Sequence, residues 1–226
     1  MPRETAISVI IPTWNEEQHI ARAILSAQAA SEVVVVDCGS TDATKSIAES
    51  NGAIVVEAEQ GRGTQLASGA RRSTGEVLIF LHADSWLGEH AIVQLRELSS
   101  RHTPERTYGC FRQRIDDRRF RFRILESGNA FRARWMRTPY GDQAVFVSRS
   151  LYDLAEGFAN VPLMEDVIFA QRMRKLRAPT ILPGPVHLSA RRWQSKGVVA
   201  QTIRNWLIFS AFQCGVSPKR LAAWYR

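Results

Sequence analysis

Residues Val33–Val36 are four consecutive valines, and the run stops on Asp37. A strand with no polar residue in it must be covered on both faces, because successive side chains point to opposite sides of the sheet. That requirement points to a parallel sheet with helices above and below it. Three further segments repeat the pattern: Ala6–Pro12 (AISVIIP), Ala53–Ala58 (AIVVEA) and Glu76–Asp84 (EVLIFLHAD). Apolar residues at helical spacing predict helices over Glu16–Ala30, Thr41–Ser50, Gly63–Ser73 and Glu89–Ser100. In such sheets ligands lie beyond the carboxyl ends of the strands. Asp37 and Asp84 both stand at such ends, so both are expected to face one crevice.

The second half is less regular. Tyr108–Ile115 and Gln143–Ser148 have the composition of strands, and Arg121–Trp135 and Glu165–Leu176 the spacing of helices. Gly197–Gly215 reads as one long amphipathic helix. No linker, repeat or low-complexity tract interrupts the 226 residues. The expectation is one α/β domain with a mostly parallel sheet, helices on both faces and a helical C-terminal extension. Within it, residues 6–100 would form one half, 107–195 a second and 196–226 the terminal helices.

Composition bounds the function. A hydrophobic share of 45% and a charged share of 23% suit a folded enzyme. The net charge of +8 admits nucleic acid, an anionic membrane surface or a phosphate-bearing small ligand as partner. Nucleic-acid binding alone leaves the strand-end carboxylates unexplained. Cys38, Cys110 and Cys214 are too far apart for a metal knuckle or a disulfide framework, which suits a reducing compartment. The first residues lack an apolar signal segment, and the charge-free stretch between Arg204 and Lys219 is too short and too polar to span a bilayer. The expectation is a cytoplasmic protein, soluble or at most peripheral to the membrane.

The chemistry sits in a few short stretches. The loop after the first strand is Pro12-Thr13-Trp14-Asn15-Glu16-Glu17, not G-x-G-x-x-G, which argues against a dinucleotide dehydrogenase or a P-loop enzyme. Asp84 ends an apolar strand. Such a carboxylate suits Mg²⁺ or Mn²⁺, hard cations that take one or two protein carboxylates and complete their shell with phosphate oxygens. Glu165 and Asp166 open a helix side by side and point in different directions, so one can act as a general base while the other caps. Arg191, Arg192 and Trp193 offer two guanidinium groups and a ring to a diphosphate and its neighbour.

Taken in series, ISVIIPTWNEEQHI, VVVVDCGSTDAT, GRGTQLASGARRSTGEVLIFLHAD and MEDVIFAQRM resemble the family 2 glycosyltransferases of GT-A fold, over roughly residues 6–176. The tail SARRWQSKG further resembles a short bacterial subgroup associated with arsenosugar biosynthesis. The resemblance implies that residues 6–100 form the nucleotide-sugar-binding half and 107–195 the acceptor-binding half, and it implies a role for each matching position. Pro12, Asn15 and Glu16 would line the nucleotide, Asp37 would read the nucleobase, and Arg62 would lie along the nucleotide pocket. His82-Ala83-Asp84 matches the D-x-D motif, with Asp84 holding the metal. Asp166 would be the catalytic base, and His187 lies where a C-terminal metal ligand falls in GT-A enzymes. The chain departs from the pattern at His82, which replaces the first Asp of D-x-D, at Ala67, and at Ser189, where a Gln begins the Q-x-x-R-W motif. A neutral imidazole can still hydrogen-bond a ribose hydroxyl.

The implied activity is metal-assisted transfer of a sugar from a nucleoside-diphosphate sugar to an unidentified acceptor hydroxyl, with inversion as the family's rule. A nucleotidyltransferase is the alternative, although its basic Gly-rich loop is replaced here by acidic PTWNEE. The acceptor is either a small molecule or lipid-linked. Val198–Phe212 gathers Val198, Val199, Thr202, Ile203, Trp206, Leu207 and Phe209 largely along one broad face. That face is expected to pack on the sheet or, together with the arginines of RRFRFR and KLR, to rest on an anionic membrane.

Overall fold

The computed structural model describes residues 4–101, 106–190 and 197–225. The strands in these residues are β1 (Ile7–Thr13), β2 (Glu32–Asp37), β3 (Ile54–Glu57), β4 (Val77–Phe80), β5 (Ser85–Leu87), β6 (Tyr108–Ile115), β7 (Phe146–Ser148) and β8 (Thr180–Leu188). They form one sheet in the order β3-β2-β1-β4-β7-β6-β8-β5. The β1, β2, β3 and β4 pairings and the β6–β8 pairing are parallel, while β7 joins the two parallel blocks antiparallel and β5 pairs antiparallel on β8.

The valine run explains the layering. Val33 and Val35 belong to the core on one face with Ile7, Val9 and Ile11, and Val34 and Val36 to the core on the other with Ile10. Helices α1 (Ile20–Ser26), α2 (Thr44–Ser50), α4 (Ala91–Arg101) and α5 (Phe120–Phe131) contribute to the first core. Helices α3 (Arg62–Arg72), α6 (Arg149–Leu154) and α7 (Glu165–Leu176) contribute to the second. A π-helical turn, Arg132–Met136, continues α5, and a 3₁₀ turn covers Gly141–Gln143. The chain ends in α8 (Val198–Gln213) and α9 (Pro218–Tyr225).

Two strands escape the sequence pattern. β8 carries Pro183 and Pro185, residues that cannot donate to a ladder and so suppress a strand assignment. It pairs with β6 across a register shift between Phe111 and Gln113. β5 has only three residues. Although it lies within residues 6–100, it pairs with β8, so the two halves of the chain interleave in the sheet. The helix expected over 16–30 is shorter, because residues 15–17 are engaged with the following loop, as described below. α8 also departs from packing on the sheet: Ile203, Trp206 and Leu207 are 55%, 69% and 66% exposed, whereas Gln201 and Ile208 are buried. No helix among the described residues is long and apolar enough to cross a membrane.

Candidate active site

The carboxyl ends of β1 and β2 are held together by side chains. Asp37 is wholly buried, and its carboxylate accepts from the backbone of Gly39 and Ser40 and from the Ser40 hydroxyl. Its first role is therefore to shape the loop that follows β2. Pro12 lies in register with Val36. Asn15 takes a left-handed conformation (φ 51°); its side-chain oxygen accepts from Thr41 N at 2.9 Å, and its own N–H donates to Ser40 Oγ at 2.8 Å. Glu16 N donates to Thr44 Oγ1, Glu17 N donates to Asp42, and Glu17 accepts from Ala43 N. The loops after β1 and β2 thus form one laced rim. Beneath it the buried Gln65 of α3 donates to Thr13 O and Val36 O, both at 2.9 Å, and pins the two strand ends.

The first turns of α3 and α7 converge beside this rim. Their approach requires Gly63, where a Cβ would stand 2.2 Å from Ala159 O and 3.2 Å from Glu165 Cβ. Arg62 in the first turn of α3 reaches Glu165 Oε1 in the first turn of α7 at 3.5 Å. Glu165 is 2% exposed. Burial pushes its carboxyl up to about 7, with the Arg62 guanidinium opposing the rise and Asp166 adding to it. Asp166 points elsewhere, accepting from Val167 N at 2.8 Å through Oδ1 and from Gly141 N at 3.1 Å through Oδ2. A Cβ on Gly141 would meet His82 Nε2 at 3.0 Å and Asp166 Oδ2 at 3.6 Å, so this glycine fills the gap between imidazole and carboxylate. Arg62, His82, Glu165 and Asp166 line one small hollow with Pro139 and Gly141; its free space of about 10 Å³ admits one water at most.

Asp84 faces a second, wider cleft of about 230 Å³, lined also by His19, Arg22, Trp86, Asp116 and Ser189. The Arg22 guanidinium lies 3.3 Å over the Trp86 ring, and Trp86 and His187 are cross-strand partners stacked in parallel at 5.2 Å. Burial lowers the proton affinity of His187, Arg22 adds to that effect, and Asp116 opposes it. Among the described residues no three His, Cys, Asp or Glu side chains gather as a metal cluster. Asp84 and Asp116 fit a hard cation that draws most of its ligands from a diphosphate; His187 stacks behind Trp86 and is not among the residues that line the cleft. Arg191, Arg192 and Trp193 lie outside the described residues.

Of the residues singled out in the sequence, Arg62, His82 and Asp166 are brought together, Asp84 lies two residues beyond His82 on the neighbouring cleft, and Pro12, Asn15, Glu16 and Asp37 build the rim. Gln65, Gly141, Arg22, Trp86 and Asp116 carry no motif of their own. Trp86 is the exception in one respect, since an aromatic two residues after a candidate metal carboxylate is a usable signal.

The architecture is that of the GT-A class. S. aureus TarS superposes with a TM-score of 0.65 at 17% identity, over 96% of this chain and 68% of that one. Glucosyl-3-phosphoglycerate synthase from Mycobacterium tuberculosis, solved with Mn²⁺, UDP and glucosyl-3-phosphoglycerate, superposes with a TM-score of 0.56 at 22% identity, over 82% of this chain and 70% of that one. The glycosyl transferase family 2 model matches residues 8–159, and the chain belongs to that family. An uncharacterized glycosyltransferase of Nostoc sp. is 34% identical over 103 residues, 41% of this chain and 32% of the relative. Glycosyltransferase AglJ of Haloferax volcanii is 39% identical over 66 residues, 28% of this chain and 22% of the relative. The chain thus matches a third or less of the length of these two relatives.

Proposed function

We propose that this protein transfers a glycosyl group from a nucleoside-diphosphate sugar to an acceptor hydroxyl, with inversion at the anomeric carbon. The observation that carries this reading is the meeting of Arg62, His82 and the Glu165–Asp166 pair at the carboxyl ends of the parallel strands, with Asp84 two residues beyond His82. Family membership and the UDP and Mn²⁺ held by the mycobacterial synthase support it. The rim built by Asn15, Glu16 and Asp37 is assigned to the nucleoside. Asp84, with Asp116 beside it, would hold Mn²⁺ or Mg²⁺, which would neutralise charge on the departing diphosphate. Arg62 adds fixed positive charge on the same side, and His82 is placed to donate or accept at a sugar hydroxyl.

Asp166 is assigned as general base. It takes the acceptor's hydroxyl proton while the acceptor oxygen bonds to the anomeric carbon and the carbon–oxygen bond to the diphosphate breaks. Glu165, buried and paired to Arg62, positions rather than reacts. Within the family, the short arsenosugar-associated subgroup is the finer assignment, and it rests on the sequence of the tail alone. The test is calorimetric titration of the full chain with UDP and with GDP, with and without Mn²⁺, followed by release of the nucleoside diphosphate from the matching sugar donor. Failure of every nucleoside diphosphate to bind in the presence of either metal ion refutes the assignment.

A further inference from the structure

Some arginines of this chain are held by clusters of backbone carbonyls. Arg149 donates to the carbonyls of Ala70, Ser73 and Gly75, and Arg172 to those of Ala155, Glu156 and Gly157. The segment 118–137 is different. It carries seven arginines against one acid, Glu126. Arg123 is tied to Glu126 and to two carbonyls, and Arg119 to Asp117. Arg118, Arg121, Arg134 and Arg137 are exposed.

The same segment exposes its large apolar side chains. Phe120 is 76% exposed, Ile124 59%, Phe131 61% and Trp135 69%. At 100° per residue Phe120, Ile124 and Phe131 fall within about 40° of one another on α5. Trp135 continues the line, its ring 6.2 Å from that of Phe131. The opposite side of the helix faces the core through Phe122, which is fully buried. The result is an outward apolar ridge roughly 22 Å long, at 1.5 Å per residue, edged by guanidinium groups.

We infer that this ridge docks on an anionic phospholipid surface, with α5 lying in the plane of the headgroups. A helix presenting Phe and Trp on one face and arginines beside it matches the interfacial helix in both its apolar and its charged requirements. Charge decides between the candidate occupants. A second copy of this chain would bring the same arginines face to face, whereas an anionic bilayer supplies the missing negative charge. The ridge reaches the site through Tyr140, whose ring lies under the Arg132 guanidinium of the same π-helical turn as Trp135 and 6.3 Å from the ring of Phe209 in α8. Where the glycosyltransferase reading holds, Tyr140 also precedes the Gly141 that touches Asp166, so the docked face adjoins the acceptor side and the acceptor is one presented at the membrane.

The experiment is flotation of the full chain with vesicles of phosphatidylcholine alone and of phosphatidylcholine with phosphatidylglycerol, at low and high salt. The expected result is binding to the anionic vesicles at low salt and release at high salt. Each arginine is worth roughly fivefold in affinity, so Arg118→Gln, Arg121→Gln and Arg134→Gln together should weaken binding on the order of 10²-fold. The matching triple Lys variant should retain it. Phe120→Ser with Trp135→Ser should also abolish flotation, and circular dichroism would check that these exposed positions leave the fold intact. No flotation at low salt overturns the proposal, as does flotation that survives both sets of changes. A dimer in sedimentation that the Ser variants dissolve, with no vesicle binding, assigns the ridge to a second copy and overturns it too. Nucleoside-diphosphate binding without vesicles reports on the glycosyltransferase reading separately.

Discussion

The Glu165→Gln substitution tests the electrostatics of the hollow. Glu165 is 2% exposed, and its carboxyl is raised from 4.5 to about 7 by burial, against the pull of Arg62 and with the push of Asp166. Its folded-state affinity for a proton therefore exceeds the unfolded one. The stabilising contribution of the protonated acid is complete below pH 4.5 and is lost as the pH rises through about 7. Each unit is worth about 1.4 kcal/mol, so the loss is on the order of 3–3.5 kcal/mol once the group is ionised in the fold. Glutamine keeps the shape and cannot ionise. Relative to the parent, the variant should gain almost nothing near pH 4 and on the order of 3 kcal/mol near pH 8. His187 works in the opposite sense, since its lowered proton affinity adds stability as the pH rises through the imidazole range. The difference between variant and parent cancels that term. Urea unfolding followed by the fluorescence of the six tryptophans, at closely spaced pH values, measures it. A difference that stays constant with pH, or a variant less stable at pH 8, would show that the Arg62 pair outweighs burial and would refute the reasoning.

Asp84→Ala should remove the Mn²⁺ dependence of UDP binding in calorimetry while leaving the melting temperature of the unliganded protein unchanged, because the side chain borders a cleft. Asp166→Asn should keep donor binding and slow transfer by about 10²-fold, read as nucleoside diphosphate released in the presence of acceptor; normal turnover would remove Asp166 from the chemistry. Gly141→Ala puts a methyl group 3.0 Å from His82 Nε2, and should reduce turnover more than nucleotide affinity. Equal loss of both would place the damage in the donor pocket.

Much of this was legible in the sequence because the strands of the first half are uninterrupted. The valine run predicted the covered sheet, and Asp37 was placed at the end of β2 from its position alone; Asp84, expected to end the fourth strand, lies instead four residues beyond Phe80 in the turn that leads into β5. The helix Glu165–Leu176 agrees residue for residue. What was hidden depends on contacts between distant segments. Gln65 looks like any polar residue in a helix until Thr13 and Val36 are seen at its amide. Gly141 draws no notice in PYGD, since its importance is the space it leaves between His82 and Asp166. β8 was lost to its prolines. The amphipathic face of α8 was visible, but periodicity says which side chains share a face and not whether that face points inward.

Gly141 occupies Asp166 Oδ2 with its own N–H, and the hollow behind it has no room for a sugar. Under the general-base assignment, an acceptor hydroxyl would share or take over Asp166 Oδ2 from Gly141, and the adjoining Tyr140 ring lies 3.4 Å under the Arg132 guanidinium. Arg132 and Trp135 share one π-helical turn, the first facing Tyr140 and the second facing solvent. The environment of the exposed Trp135 ring and the stacking on Tyr140 are thus set by the same five residues, so a change on the outer face of this turn is a change two residues from the Asp166 contact.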